Sequence, residues 1–210
     1  FGPFALQLGV VAMGGMTTVV VEAGGQDIEP LQLQGLVPFT VALQGAGWDP
    51  DGFVQLFAEI PLQHTSNLDR VLPQVRSLPR SQFGVTLTVS GQGGDPEIRG
   101  RVRLRDVRAA NLPTITADVT ASLVNGDFSV GAQVQDVRDE LLTAQLDGAF
   151  DLQRVMAEKL QGQPVQRGNP YLSSVAADVD LVGVPVETLR LYTDALDALH
   201  GKLKGRVTVD

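Results

Sequence analysis

The feature of this sequence that most constrains its fold is an alternation of apolar and polar residues on both sides of a turn. Segment 81–107 places an apolar residue at nearly every second position before and after a turn rich in Gly, Asp and Pro. These apolar residues are Phe83, Val85, Leu87 and Val89, then Ile98, Val102 and Leu104. Successive side chains of a strand point to opposite faces, so the pattern predicts two antiparallel strands with one apolar face and one polar face.

The same alternation recurs along most of the chain, at 54–60, 115–123, 128–134, 142–150 and 175–181. Asn125-Gly126-Asp127 between two of these segments is typical of a hairpin turn. Helical spacing of apolar residues predicts short helices at 67–78 and 186–199, and a further one over 152–160. Residues 45–52 are rich in turn formers and predict a loop, with Trp48 as its anchor.

Residues 1–21 contain no charged side chain. The run is broken by glycines, including the pair Gly14-Gly15, and by Thr17-Thr18, which favours two strands over a helix spanning a lipid bilayer. The chain begins with Phe1 and both ends fall within a strand-like pattern. We therefore expect a segment of a longer protein, with any signal or anchor outside it.

Composition argues against several classes of function. The net charge of −8 argues against nucleic acid, which requires clustered basic residues. The absence of cysteine excludes disulfides and thiolate metal sites. The two histidines, His64 and His200, are far apart in sequence, and the acidic pairs Asp49/Asp51 and Asp139/Glu140 lie in turn-like contexts. We predict no catalytic residue, no metal ligand and no cofactor, and hence a protein that is not an enzyme.

The one basic cluster, Arg99, Arg101, Arg103, Arg105 and Arg108, follows a single predicted strand. The first four alternate, so they predict a basic stripe on the polar face. Pairing with acids on neighbouring strands is the favoured interpretation; contact with a headgroup or a partner is the alternative.

The two longer helical segments each precede a similar strand, about 120 residues apart by the spacing of Asn67 and Thr188. This similarity predicts a repeat of a short helix followed by antiparallel strands. We divide the chain into a first strand group (1–63), one repeat unit (64–183) and the start of the next (184–210).

Three stretches of the chain resemble the TamB/AsmA-like family of bacterial envelope proteins. The first is Pro30-Leu-Gln-Leu-Gln-Gly-Leu-Val-Pro-Phe, which is followed by the helical segment 67–78. The others are the turn-strand blocks Gly94-Asp-Pro-Glu-Ile-Arg-Gly-Arg-Val-Arg-Leu and Leu199-His-Gly-Lys-Leu-Lys-Gly-Arg-Val-Thr-Val, the second without the proline. The resemblance covers roughly residues 30–210 and rests on strand and turn chemistry.

The resemblance implies an all-β fold, in which an elongated, twisted antiparallel sheet is curled into an open, taco-like apolar groove. It implies a segment of a periplasm-spanning bridge along which phospholipid acyl chains slide between inner and outer membrane. The cell envelope is then the location, with an inner-membrane anchor outside this chain. A translocation and assembly module with an outer-membrane β-barrel protein as partner is also implied, through regions outside this segment.

The alternating apolar residues are the candidate lipid-binding residues. They are Val85, Leu87, Val89, Ile98, Val102, Leu104, Ile115, Val119, Leu123, Phe128, Val130, Val134, Leu146, Phe150, Val179, Leu181, Val207 and Val209. Alternation alone does not separate an open groove from a closed β-sandwich, which buries the same face against a second sheet. A structural binding module without lipid, or an outer-membrane protein assembly factor, is therefore the alternative function.

Overall fold

A computed structural model describes residues 4–13, 15–25, 28–42, 45–68, 80–107, 114–137, 139–160, 171–185 and 202–209. The strands are β1 (Phe4–Met13), β2 (Met16–Gly25), β3 (Ile28–Val37), β4 (Phe39–Ala42), β5 (Gly45–Trp48), β6 (Phe53–His64), β7 (Gln82–Gln92), β8 (Asp95–Val107), β9 (Ile115–Val124), β10 (Asp127–Gln135), β11 (Glu140–Phe150), β12 (Leu172–Pro185) and β13 (Lys202–Val209). The helices are α1 (Thr65–Leu68) and α2 (Leu152–Leu160).

Eleven strands form one antiparallel sheet in the order β1-β2-β3-β6-β7-β8-β9-β10-β11-β12-β13. Each strand pairs with its neighbour in the chain, except where β4 and β5 are passed over between β3 and β6. The sheet is open, because β1 and β13 are its two terminal strands and do not pair with each other. The all-β prediction and the two strands predicted over 1–21 are thereby confirmed, and the second strand, β2, continues to Gly25 and includes Glu22.

The hairpin between β9 and β10 shows how local sequence selects a tight connection. Asn125 and Gly126 both have positive φ, at 52° and 84°. Two consecutive residues with positive φ are the requirement of a type I′ turn, which Asn-Gly satisfies with little strain. The predicted hairpin turn is confirmed, and it places Leu123 directly opposite Phe128.

The loop predicted over 45–52 is wrong in its first half, because Gly45–Trp48 is strand β5 and pairs with β4. The pairing depends on contacts made at a distance in sequence. The Thr17 hydroxyl donates to the carbonyl of Phe39 at 2.8 Å, and the Trp48 indole donates to the carbonyl of Gly93 at 3.2 Å. Trp48 is therefore an anchor, as predicted, but from a small second sheet.

The helix predicted at 67–78 overlaps α1 only at its first two residues, and residues 69–79 lie outside the described part of the chain. The helix predicted at 186–199 lies wholly outside it. The third predicted helix is confirmed as α2, where the Asp151 carboxylate caps the first turn by accepting from the Arg154 amide at 2.9 Å. Among the described residues, no helix has the length and hydropathy needed to cross a membrane.

The division into a strand group and repeat units stays a prediction. The first boundary falls at the end of β6, and the second falls inside β12. The sheet continues across both positions.

Candidate functional site

The register of the sheet aligns one apolar residue from each of its eleven strands in a single row. Each member of this central row is the direct cross-strand partner of the next, and no polar side chain interrupts it. The central row is Leu8, Val21, Leu33, Ala58, Leu87, Gly100, Ala121, Val130, Leu146, Ala177 and Val209. Directly opposed residues share a face of an antiparallel sheet, so the row is a continuous apolar line across it.

Parallel rows on both sides of the central row extend this apolar face. One contains Val89, Ile98, Leu123 and Phe128, and a second contains Val85, Val102, Val119 and Val179 with Val207. A third contains Leu104, Val134 and Leu181. Ile115 and Phe150 follow from the alternation along β9 and β11, so every candidate lipid-binding residue occupies a position on the same face.

Seven residues of the central row were not among the candidates named from sequence, namely Leu8, Val21, Leu33, Ala58, Gly100, Ala121 and Ala177, and the first three of these lie on β1, β2 and β3. Their alternation is visible in the sequence, but it does not reveal on which face of a shared sheet each strand presents its apolar residues. The pairing of β1 with β2, β2 with β3 and β3 with β6 supplies that relation. The apolar face therefore extends across the N-terminal strands β1, β2 and β3 as well.

The apolar face is partly open to solvent. Leu87 is 39% exposed, and the other candidate residues with described side chains are half-buried. Among the residues whose burial is described, the buried apolar ones are Ile28, Pro38, Val54, Val107, Leu141 and Tyr171. None of these belongs to the candidate set. In the described part of the chain the only other sheet is the β4–β5 hairpin. A sandwich core would instead hold most of the face dry.

The opposite face carries a matching polar row across the same strands. Its members are Gln7, Glu22, Gln32, Glu59, Thr86, Arg101, Thr120, Gly131, Gln145, Asp178 and Thr208. An open cavity of about 750 Å³ lies on this face around Gly131, between the side chains of Thr120 and Gln145. The cavity is lined by hydroxyl, amide, carboxylate and guanidinium groups together with a similar share of apolar surface, and its polar groups are suited to water and polar ligands.

A smaller hollow of about 270 Å³ on the polar face lies over β2, β3 and β6. Val20, Leu36 and Phe57 line it together with polar neighbours. Phe57 lies on the polar face of β6, where it pairs with Gln34 and Thr88.

The basic stripe is neutralised in part by acids. Arg101 forms a bidentate ion pair with Asp118 on the adjacent strand, and Nε lies 2.9 Å from Oδ1. The hydrogen bond and the charge of Asp118 raise the pKa of the Arg101 guanidinium above its ordinary value. Arg99 pairs with Glu97 of the same strand at 3.1 Å. The favoured interpretation, pairing with an acid on a neighbouring strand, therefore holds for Arg101. Arg108 lies outside the described residues.

Among the described residues, no three acidic or histidine side chains are grouped closely enough to hold a metal ion. His64 is an exposed residue at the end of β6, and His200 is not described. Within the same part of the chain, every buried side-chain nitrogen and oxygen has a hydrogen-bond partner. The predictions of no metal and no catalysis stay predictions. The candidate site is thus an extended apolar surface.

Comparisons with protein-family models, with curated proteins and with solved structures give no match for this chain.

Proposed function

We propose that this chain is a segment of a bridge-like lipid-transfer protein of the TamB/AsmA-like kind, and that its apolar face holds phospholipid acyl chains. The observation that carries the proposal is the central apolar row, which passes through all eleven strands without a polar side chain. A binding pocket for one small ligand needs only a local cluster of residues. A continuous line across a whole sheet matches a ligand that is long, apolar and moves along it.

The energetics favour acyl chains on such a surface. Each methylene transferred from water to an apolar environment gains about 0.8 kcal/mol. Strands spaced by about 4.8 Å give the central row a length of roughly 50 Å, which exceeds that of one acyl chain. The row consists of Leu, Val, Ala and Gly. Small aliphatic side chains form no deep aromatic pockets, so a lipid meets no single position at which it is trapped.

The two faces differ in the way that transport of an amphiphile requires. Tails are shielded when the sheet curls with its apolar face inside, and the polar row then faces water. Headgroups stay solvated at the open side of such a groove, so their charge is never buried. The curvature into a groove, the location in the cell envelope and the role in outer-membrane biogenesis belong to this proposal.

Native mass spectrometry with lipid extraction tests the proposal, using Val119→Asp as the decisive variant. Val119 lies on the apolar face between Val102 and Ala132, and it is half-buried. We expect the unaltered chain to retain phospholipid and the variant to lose it while staying folded, because a carboxylate interrupts the acyl path. Circular dichroism reports whether the variant is folded.

Thr120→Asp is the matched control. Thr120 is the next residue of the same strand, is exposed, and lies on the polar face between Arg101 and Gly131. The same carboxylate placed there leaves the apolar face intact, so we expect lipid to be retained.

Two results would overturn the proposal. A lipid-free, thermally stable chain that Val119→Asp unfolds would indicate a closed core and a binding module without lipid. Equal lipid loss in the Val119 and Thr120 variants would show that lipid binding does not depend on the apolar face.

A further inference from the structure

The start of the β4–β5 hairpin covers the apolar face at one end of its strands. Thr17 of β2 and Val54 of β6 lie on the same face as the central row, and they are only 6% and 1% exposed. The Thr17 hydroxyl donates to the carbonyl of Phe39 at the start of β4. Pro38, directly before β4, is fully buried. The face is therefore dry where the hairpin begins.

The base of the hairpin is also fixed to the turn between β7 and β8. The Trp48 indole donates to the carbonyl of Gly93, and the Gly93 amide donates to the carbonyl of Gly52 at 2.8 Å. The Gly94 amide donates to the carbonyl of Pro50 at 2.7 Å. The hairpin base thus extends from β2 to the β7–β8 turn. We call this end of the strands, which carries Trp48 and the β7–β8 turn, the tryptophan end.

The tryptophan end is acidic. Each described turn there, from the loop after β5 to the start of α2, has an aspartate within it or directly after it. These aspartates are Asp49, Asp51, Asp95, Asp127 and Asp151. The described arginines nearest to them, Arg99 and Arg154, are paired with Glu97 and Glu158. Carboxylates repel a phosphate, so both the cover and the charge oppose a phospholipid headgroup at this end.

The opposite end of β7 and β8 carries three arginines, Arg80, Arg103 and Arg105, and we call it the arginine end. Arg105 is the cross-strand partner of the second residue after Arg80, so the two lie on neighbouring strands near the same end. Ser81 fixes the backbone beside Arg80, because its amide donates to the Thr65 hydroxyl and its carbonyl accepts from the Thr65 amide. Among the described residues, no carboxylate forms an ion pair with any of the three arginines.

Two acids lie near the arginines without cancelling their charge. Asp118 is the cross-strand partner of Arg103, but its carboxylate is engaged by Arg101. Asp106 follows Arg105 in a bulge, where φ is 55° and the register with β9 shifts. A bulge bends its strand and redirects the side chains beside it. The arginine end therefore keeps a net positive charge at the point where the regular sheet stops.

We infer that the phosphate of a bound phospholipid is held at the arginine end of β7 and β8, and that the tryptophan end is closed to headgroups. The inference rests on the proposed function, because it takes acyl chains to lie on the apolar face. Guanidinium groups bind phosphate through charge-assisted hydrogen bonds. The site is local, since the β10–β11 turn at the same end carries Asp136, Asp139 and Glu140. Exposed ion pairs are weak, so the contact orients a lipid without trapping it.

Three soluble probes that differ in phosphate and acyl chains test the inference. Dioctanoylphosphatidylglycerol has both, dioctanoylglycerol has the acyl chains alone, and glycerophosphate has the phosphate alone. We expect calorimetric titration of the unaltered chain to give about tenfold tighter binding of the phospholipid than of dioctanoylglycerol, with much weaker binding of glycerophosphate. Added salt should reduce this preference, because the arginines are exposed to solvent.

Arg105→Gln and Arg99→Gln form a matched pair of variants. Both arginines are exposed on the same face of β8, and Arg99 is the one nearer to the tryptophan end. We expect Arg105→Gln to weaken binding of the phospholipid about threefold and to leave binding of dioctanoylglycerol unchanged. Arg99→Gln removes the same charge and should leave the binding of both probes unchanged. Unchanged binding of dioctanoylglycerol also shows that a variant is folded.

The possible failures separate this inference from the proposed function. Binding of neither acyl probe would overturn the proposed function and this inference together. Equal binding of the two acyl probes would leave acyl binding in place and overturn the inference alone, as would equal weakening of phospholipid binding by Arg105→Gln and Arg99→Gln. Glycerophosphate bound as tightly as the phospholipid would also overturn it, because the arginines would then hold free phosphate independently of the apolar face.

Discussion

At the scale of single residues, a small polar cluster attaches α2 to the sheet. The Tyr171 hydroxyl donates to Glu158 Oε2 at 2.6 Å, and Arg154 Nε donates to Glu158 Oε1 at 3.0 Å. The Arg154 guanidinium also lies 5.6 Å from the centre of the Tyr171 ring, which packs edge-on against Phe150. One carboxylate thus links the helix to the start of β12.

This cluster makes the stability of the helix depend on pH. The Tyr171 hydroxyl and, to a smaller extent, the Arg154 guanidinium hold the pKa of Glu158 below its ordinary value. A carboxyl group with a pKa lowered by folding stabilises the folded state above its unfolded pKa, and the contribution is lost as the pH falls through the folded pKa. We expect Glu158→Gln to lose less stability than the unaltered chain as the pH falls below about 4.3.

An NMR titration of the Glu158 side chain checks the cause. Tyr171→Phe should raise the pKa of Glu158 toward its ordinary value, because the strongest hydrogen bond to the carboxylate is removed. Ser173→Ala removes another hydroxyl of β12, which donates to the carbonyl of Ala149 at 3.5 Å, and should leave the titration unchanged. An equal effect of both changes would contradict the assignment to the Tyr171 hydroxyl.

At the scale of elements, hairpins determine which residues face each other. The turn at Asn125-Gly126 aligns Leu123 with Phe128, and the next pairing places Phe128 opposite Gly148. A Cβ added to Gly148 would approach the Phe128 ring to about 2.5 Å, so the ring lies over the glycine. The absence of a side chain at Gly148 therefore leaves the space on the apolar face that the Phe128 ring occupies.

The backbone of the turn predicts the effect of a single substitution. Asn125 has a φ of 52°, a conformation that costs an ordinary L-residue about 1–2 kcal/mol and a β-branched residue more. We expect Asn125→Val to lower the free energy of unfolding by at least about 1 kcal/mol. Urea denaturation measures the change.

Asn125→Gly is the control for this prediction, since glycine adopts positive φ readily and removes the side chain as well. We expect its free energy of unfolding to stay within about 0.5 kcal/mol of the unaltered chain. If both variants were equally destabilised, the cost would lie in lost side-chain contacts.

At the scale of the whole molecule, the sheet is close to one-dimensional. The principal contacts of each strand are with its neighbours in the sheet, apart from α1 on β6 and β4 on β2. Stability in such an array is approximately a sum of nearest-neighbour terms, and opening begins at the ends. A terminal strand has one neighbour and an interior strand has two.

Hydrogen exchange measured by mass spectrometry should follow this arrangement. We expect amide protection to be highest in β7 to β10 and to fall toward β1, whose side chains are exposed. Uniform protection from β1 to β10 would indicate a closed core instead.

Much of the fold was accessible from sequence because the relevant signals are local. The period-two alternation in segments such as 115–123 identifies a strand and its two faces, and Asn125-Gly126 identifies a turn by its own backbone preference. The alternation within 54–60 likewise identifies part of β6 without reference to any partner. Strand β5 was missed because Gly45–Trp48 has weak strand propensity and is held by partners remote in sequence, as at Trp48 and Gly93.

What the sequence determined by itself is that each strand has an apolar side and a polar side, since that depends only on neighbouring residues. The tertiary structure decided the register that joins Leu8, Val130 and Val209 into one row. It also decided that the face is half-open. These properties depend on pairing between distant segments, and a slip of one residue between any two strands would turn apolar side chains to the opposite face. The same alternation is compatible with an open sheet and with a sandwich. The exposure of the apolar face therefore depends on whether another element packs against it.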